Sequence, residues 1–131
     1  MKLLLDRPRL ALSMWLGGWG TALVLTHMPL THGGSTTLPY LDKAAHFLMY
    51  FAITFLGAAR ARAVGREMTG RHLVSWGMIY ASYAALDEWT QPWTHRTADV
   101  KDWLADLAGV VAASCIGFLW LRRARLSEPR E

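Results

Sequence analysis

The residues able to do chemistry fall into three short stretches of the chain: Asp42, Lys43, His46 and Tyr50; Asp87, Glu88 and Gln91; and Arg96, Asp99, Asp102 and Asp106. On a helix, residues three and four apart share a face, so Asp42, Lys43 and Tyr50 lie on the same side as His46. Glu88 and Gln91 pair in the same way. Consecutive residues point about 100° apart, so one of Asp87 and Glu88 faces inward, and Glu88 is the expected one. Asp99, Asp102 and Asp106 follow one another along a single line. A histidine among carboxylates can pass a proton near neutral pH or bind a metal, and an arginine can fork onto two carboxylates. His46, Glu88 and Asp102 are the candidate catalytic groups. Asp42, Lys43, Tyr50, Gln91, Arg96, Asp99 and Asp106 are the candidate ligand-binding groups.

Each of these has a plainer role to weigh against the chemical one. Asp42 suits the positive end of a helix dipole, and His46 can be a hydrogen-bonded core residue. Asp102 and Asp106 can be charges at a helix start, although Asp106 lies a full turn inside. His27 and His32 read as incidental loop residues. A single Cys115 cannot form an intramolecular disulfide and is expected to pack as a small core residue.

The elements that must position these groups are four apolar runs: Leu10 to Met28, Ala44 to Ala59, Leu73 to Leu86 and Trp103 to Leu121. A spanning helix needs about 17 to 25 mostly apolar residues. The first and last runs reach that length alone, and the middle two reach it by drawing in their polar ends. The expected architecture is an all-α integral membrane protein, one domain over 1–131. It is a compact bundle of four transmembrane helices at about 9–28, 42–60, 72–89 and 100–121. Short basic loops dilute the apolar segments and leave the mean hydropathy at only +0.16.

Charge placement supports this reading independently. Of the 14 Lys and Arg, Lys2, Arg7, Arg9, Arg60, Arg62, Arg66, Arg71, Arg122, Arg123, Arg125 and Arg130 fall on one side of the bundle. Only Lys43, Arg96 and Lys101 fall on the other. Under the positive-inside rule both termini are cytoplasmic. The net charge of +4 therefore reflects topology, and no nucleic-acid partner is expected. The N-terminal run is long for a signal peptide and lacks a small-residue cleavage pattern, so it reads as a retained helix.

Trp15, Trp19, Trp76 and Trp120 towards one surface, and Trp89, Trp93 and Trp103 towards the other, fit two interfacial belts. Gly17, Gly18 and Gly20 allow another backbone to come close, and this face of the first helix is a candidate homodimer surface. In the last helix the line Asp99, Asp102, Asp106 continues as Gly109, Ala113, Gly117. Small residues at that period mark a helix contact, so the acids above them should point into the bundle. The six acids at this end and Lys43, His46, Gln91, His95 and Arg96 then meet at the extracytoplasmic level. Buried charge in a membrane costs about 2.5 to 3.5 kcal/mol each at a helix centre, so these groups need partners.

The ordered pattern Asp42-Lys43-x-x-His46-Phe-x-x-Tyr50, Glu88-x-x-Gln91, Arg96-x-x-Asp99-x-x-Asp102 and Gly109 resembles the VanZ-like family of small polytopic bacterial membrane proteins. The resemblance covers about residues 42–117. It departs from the family pattern at Asp106, where the family often has Asn. It implies a multi-pass protein of the bacterial plasma membrane that acts on the cell envelope, with a link to glycopeptide resistance through the family's association with teicoplanin. It supplies no molecular activity and no cofactor.

Three functions compete. The first is handling of a membrane lipid or lipid-linked cell-wall precursor, with Lys43 and Arg96 holding an anionic head group and Glu88 or His46 moving a proton. The second is a metal-dependent membrane enzyme using His46, Glu88, Asp99 and Asp102, for which the sequence carries no compact ligand signature. The third is a scaffold whose polar cluster is a structural salt-bridge network. No phosphate loop, nucleophile elbow or dinucleotide fingerprint is present.

Overall fold

A computed structural model describes residues 2–28, 39–66, 69–94 and 97–126. All regular structure among them is helical. A short turn α1 (Lys2–Leu5) precedes four long helices, α2 (Pro8–His27), α3 (Pro39–Ala63), α4 (Gly70–Thr90) and α5 (Val100–Leu126), and a 3₁₀ turn (Gln91–Thr94) follows α4. The four expected helices are present, most of them longer than expected.

Local chemistry explains the ends. Prolines open α2 and α3 at their first helical positions, where a missing N–H costs nothing. Met28 turns extended and stops α2 immediately before Pro29, whose ring disfavours helix in its predecessor. At the end of α3 the Gly65 N–H donates to the Arg62 carbonyl at 2.9 Å and the Arg66 N–H to the Ala61 carbonyl at 2.9 Å. This pair of hydrogen bonds closes the helix and needs a left-handed residue, which Gly65 supplies at φ +72°. Asp99 caps α5, its Oδ1 accepting from the Lys101 N–H at 2.9 Å.

The longest contact in the bundle is between α3 and α5, and it depends on the small-residue line of α5. Gly109 lies directly on the backbone of Phe47 and Phe51, and a Cβ placed at Gly117 would reach the Ala58 Cβ at 3.3 Å. The expected helix contact is therefore made within the chain. The α2 glycines behave differently. Gly18 lies against Ile53 and Leu56, while Gly17 and Gly20 have nothing near the position of a Cβ, so only one of the three is used for packing among the described residues.

Trp19 stacks on Tyr80 with ring centroids 5.4 Å apart, and the Trp15 Nε1–H donates to the Tyr80 hydroxyl at 3.1 Å. Trp15 also meets Trp76 edge-on. These three indoles are thus partly buried packing groups at the α2–α3–α4 junction. Trp89 and Trp93 are exposed. Cys115 is exposed as well, a correction to its expected core position: α5 turns Gly109, Ala113 and Gly117 to α3, and Cys115 falls off that line.

Two helical segments, Tyr40–Ala63 and Val100–Trp120, are long and apolar enough to cross a membrane. The sequence pointed to the first and last runs as the self-sufficient pair; among the described residues the last run is one of the observed pair, and the other is α3 with its polar end drawn in. Large apolar side chains such as Leu16, Val24, Leu48, Val74, Ile79, Val111 and Leu119 lie on outward faces, while Thr26, His46, Thr54, Asp87, Glu88, Gln91, Asp102 and Asp106 are buried.

Candidate functional site

The buried polar residues other than Thr54 meet at one end of the bundle, where α2 and α4 finish and α3 and α5 begin. His46 stands on the second turn of α3, one turn after Asp42 and one before Tyr50. Asp106 faces it from α5, with Oδ1 3.0 Å from His46 Nδ1. Glu88 comes from the last turn of α4, with Oε1 3.9 Å from the same nitrogen. His46 is 4% exposed and Asp106 0%, so this contact is shut off from solvent. Three helices that are distant in sequence each contribute one group.

Glu88 is held from two sides. The Gln91 Nε2–H donates to its Oε1 at 2.8 Å, which realises the i+3 pairing expected from sequence, and the Asp99 N–H donates to Oε2 at 3.0 Å. The second bond ties the end of α4 to the residue that caps α5. Gln91 is 1% exposed and serves as a buried positioning group within the 3₁₀ turn.

Above this inner set lies a more open one. The Lys43 ammonium donates to Asp102 Oδ1 at 2.8 Å and to Asp99 Oδ2 at 3.1 Å. Asp102 is buried, whereas the Asp99 side chain is 42% exposed, so the pair spans the boundary of the cluster. The Lys101 backbone N–H and then the Lys43 ammonium hold the Asp99 carboxyl below its ordinary range. Asp42 is half-buried at the same level, and it, His46 and Asp102 offer donor atoms all within 4.8 Å of one another. His46, Glu88 and Asp106 form a second such group, deeper in the bundle, also within 4.8 Å.

Tyr50 closes the floor. It is 1% exposed. Its hydroxyl and Asp106 Oδ2 are both buried without a hydrogen-bond partner among the described residues. Of the candidate residues, Asp42, Lys43, His46, Tyr50, Glu88, Gln91, Asp99, Asp102 and Asp106 come together at one end. Arg96, with the neighbouring His95, lies outside the described residues.

Sequence reasoning missed a branch of the network. Asp87, passed over in favour of Glu88, is itself buried at 3% exposure. The two acids diverge around α4, yet both directions are covered, Glu88 by α3 and α5 and Asp87 by α2. The Thr26 hydroxyl donates to Asp87 Oδ1 at 2.9 Å, and His27 Nδ1 lies 3.6 Å from the same oxygen. His27 Nε2 is 3.0 Å from the Thr90 hydroxyl. His27 is therefore the last residue of α2 and a helix-to-helix contact, not an incidental loop residue. The signal available in sequence was the polar pair Thr26-His27 closing an apolar run at the same level as Asp87 and Thr90.

Beside this branch, Leu23, His27, Tyr83, Leu86, Asp87, Thr90, Trp93 and Thr94 line a shallow groove of about 340 Å³ that opens to the outside. Its walls are mostly apolar, and Asp87, His27 and Thr90 form its polar margin. The arrangement can exchange protons along His46, Asp106 and Glu88, hold a cation between them, and accept an elongated molecule with one polar end alongside. In comparisons with known proteins, no family model, no curated protein and no solved structure matches this chain.

Proposed function

We propose that the chain is a multi-pass protein of the bacterial plasma membrane whose extracytoplasmic polar site binds the head group of a membrane lipid or lipid-linked cell-wall precursor, as its resemblance to the VanZ-like family suggests. The observation that carries this reading is that a buried, acid-rich cluster and an apolar groove with Asp87 on its margin stand at the same end of the bundle. An amphiphile needs both, a wall for its chain and polar groups for its head.

The membrane assignment rests on physical arguments. Large apolar side chains lie on outward helix faces while polar and charged residues are buried among the apolar core of the described residues, an arrangement suited to lipid as solvent. In this reading all four long helices cross, both termini are cytoplasmic, and the Arg-rich ends of α3 and α5 lie opposite the site. A homodimer through the open Gly17 and Gly20 face of α2 is compatible with it, as is an envelope role extending to glycopeptide resistance.

The alternative reading is a scaffold, favoured by the way Lys43, Asp99 and Glu88 tie α3, α4 and α5 together. One experiment separates the two. The purified chain is mixed in detergent with phosphatidylglycerol or a polyprenyl phosphate and examined by native mass spectrometry. Head-group binding gives a discrete one-to-one complex that His46→Ala and Asp102→Ala abolish while the helical circular-dichroism spectrum is retained. Equal lipid adducts in wild type and both variants refute the proposal.

A further inference from the structure

We propose that His46, Glu88 and Asp106 form a binding site for a first-row divalent cation, with Zn²⁺ and Mn²⁺ the ions its donor set suits. The site adds to the head-group reading and does not depend on it.

One imidazole nitrogen and two carboxylates from three helices converge within 4.8 Å, and all three residues are buried. In a tetrahedral zinc site with bonds of about 2.0 to 2.1 Å, donors stand about 3.4 Å apart. The observed separations, 3.0 Å from His46 Nδ1 to Asp106 Oδ1 and 3.9 Å to Glu88 Oε1, bracket that value. Mixed nitrogen and carboxylate donors suit Zn²⁺ and Mn²⁺ better than the softer ions that select thiolates.

Orphaned polar atoms supply a second and independent observation. Asp106 Oδ2 and the Tyr50 hydroxyl are buried with no hydrogen-bond partner among the described residues, and the residues that bear them are 0% and 1% exposed. Buried polar atoms are rarely left so. A cation gripped by both carboxylate oxygens of Asp106, carrying a water that reaches the Tyr50 hydroxyl, would satisfy both.

Charge distinguishes this set from the one above it. Asp42, His46 and Asp102 also converge, but Lys43 already places its ammonium 2.8 Å from Asp102. No lysine or arginine among the described residues forms a salt bridge to Glu88 or Asp106. Gln91 and the Asp99 N–H meanwhile orient Glu88, the role outer partners play around metal ligands.

The test uses the full-length chain in detergent, stripped with a chelator, freed of it, and titrated with Zn²⁺ by calorimetry and with Mn²⁺ by electron paramagnetic resonance. One ion per chain is expected, with nitrogen coupling to Mn²⁺ that His46→Gln removes. Asp106→Asn and Glu88→Gln should each weaken binding more than about 10-fold, the lower end of what even loss of an outer-shell partner costs. Tryptophan fluorescence and size exclusion confirm that the variants remain folded. Stripped wild-type protein that takes up neither ion overturns the proposal, since that result needs no variant to fold. So does binding lost in Asp42→Asn but kept in Glu88→Gln, which would place the ion in the other set.

Discussion

Replacing Gly109 by alanine tests the link between packing and site most directly. The new methyl group would overlap the Phe47 carbonyl oxygen and stand 3.0 Å from the Phe51 nitrogen and 3.2 Å from the Phe47 carbonyl carbon. All three are backbone atoms, so no side-chain rotation relieves the overlap. Ordinary contact lies at about 3.5 to 4.0 Å, which requires α5 to retreat from α3 by about 1 Å. Overpacking typically costs about 1–3 kcal/mol, and a clash against rigid backbone belongs at the upper end, about 3 kcal/mol. For a chain of this size that corresponds to a fall in Tm of about 10 °C. The retreat also lengthens the contact between His46 and Asp106, because Asp106 sits one turn before Gly109 on the same face. The assay is thermal unfolding in detergent followed by tryptophan fluorescence, with Gly77→Ala as the control, since nothing lies within 4 Å of a Cβ there. Gly109→Ala should fall well below Gly77→Ala, and adding Phe47→Ala should not restore it. Equal stability of the two variants, or rescue by Phe47→Ala, would refute the reasoning.

Two further expectations concern the margins of the site. Thr26→Val keeps the shape of the side chain but removes the hydroxyl that donates to Asp87 at 2.9 Å; it should lower stability by about 1–3 kcal/mol in the same assay, the cost of leaving a buried acceptor short of a donor. Asp99 is held below the ordinary carboxylate range by the Lys101 N–H and Lys43, so its charge stabilises the fold above the unfolded value of about 3.9 and that contribution is lost as pH falls through the folded one. Asp99→Asn, which still caps a helix, should therefore be less stable than wild type at neutral pH, with the gap closing as the pH is lowered below about 4. A gap that is constant over that range would show that the charge contributes nothing.

Much of the architecture was legible because its signals are local. Long apolar runs mark helices through local backbone preferences that need no tertiary partner. The spacing of Asp99, Asp102, Asp106, Gly109, Ala113 and Gly117 identified the buried face of α5, since helical periodicity is a property of the backbone itself. The same logic put His46, Tyr50, Lys43 and Asp42 on one side of α3. It failed for Asp87 and Glu88. Periodicity says that two adjacent residues diverge, but not that a helix with neighbours on two sides buries both.

Residue types, their order and the segregation of Lys and Arg are thus determined by the sequence alone, because they depend on helical geometry and on charge distribution along the chain. Which carboxylate meets His46 is a different kind of fact. Asp99, Asp102 and Asp106 all lie on one face, and only the depth at which Gly109 seats α5 on Phe47 and Phe51 selects Asp106 for His46 and leaves Asp102 to Lys43. The pairing of Asp87 with Thr26 and His27 likewise arises from how α2 lies across α4, a relation between segments 61 residues apart. Such register is set by close packing summed over whole helix faces, and no short stretch of sequence contains that sum.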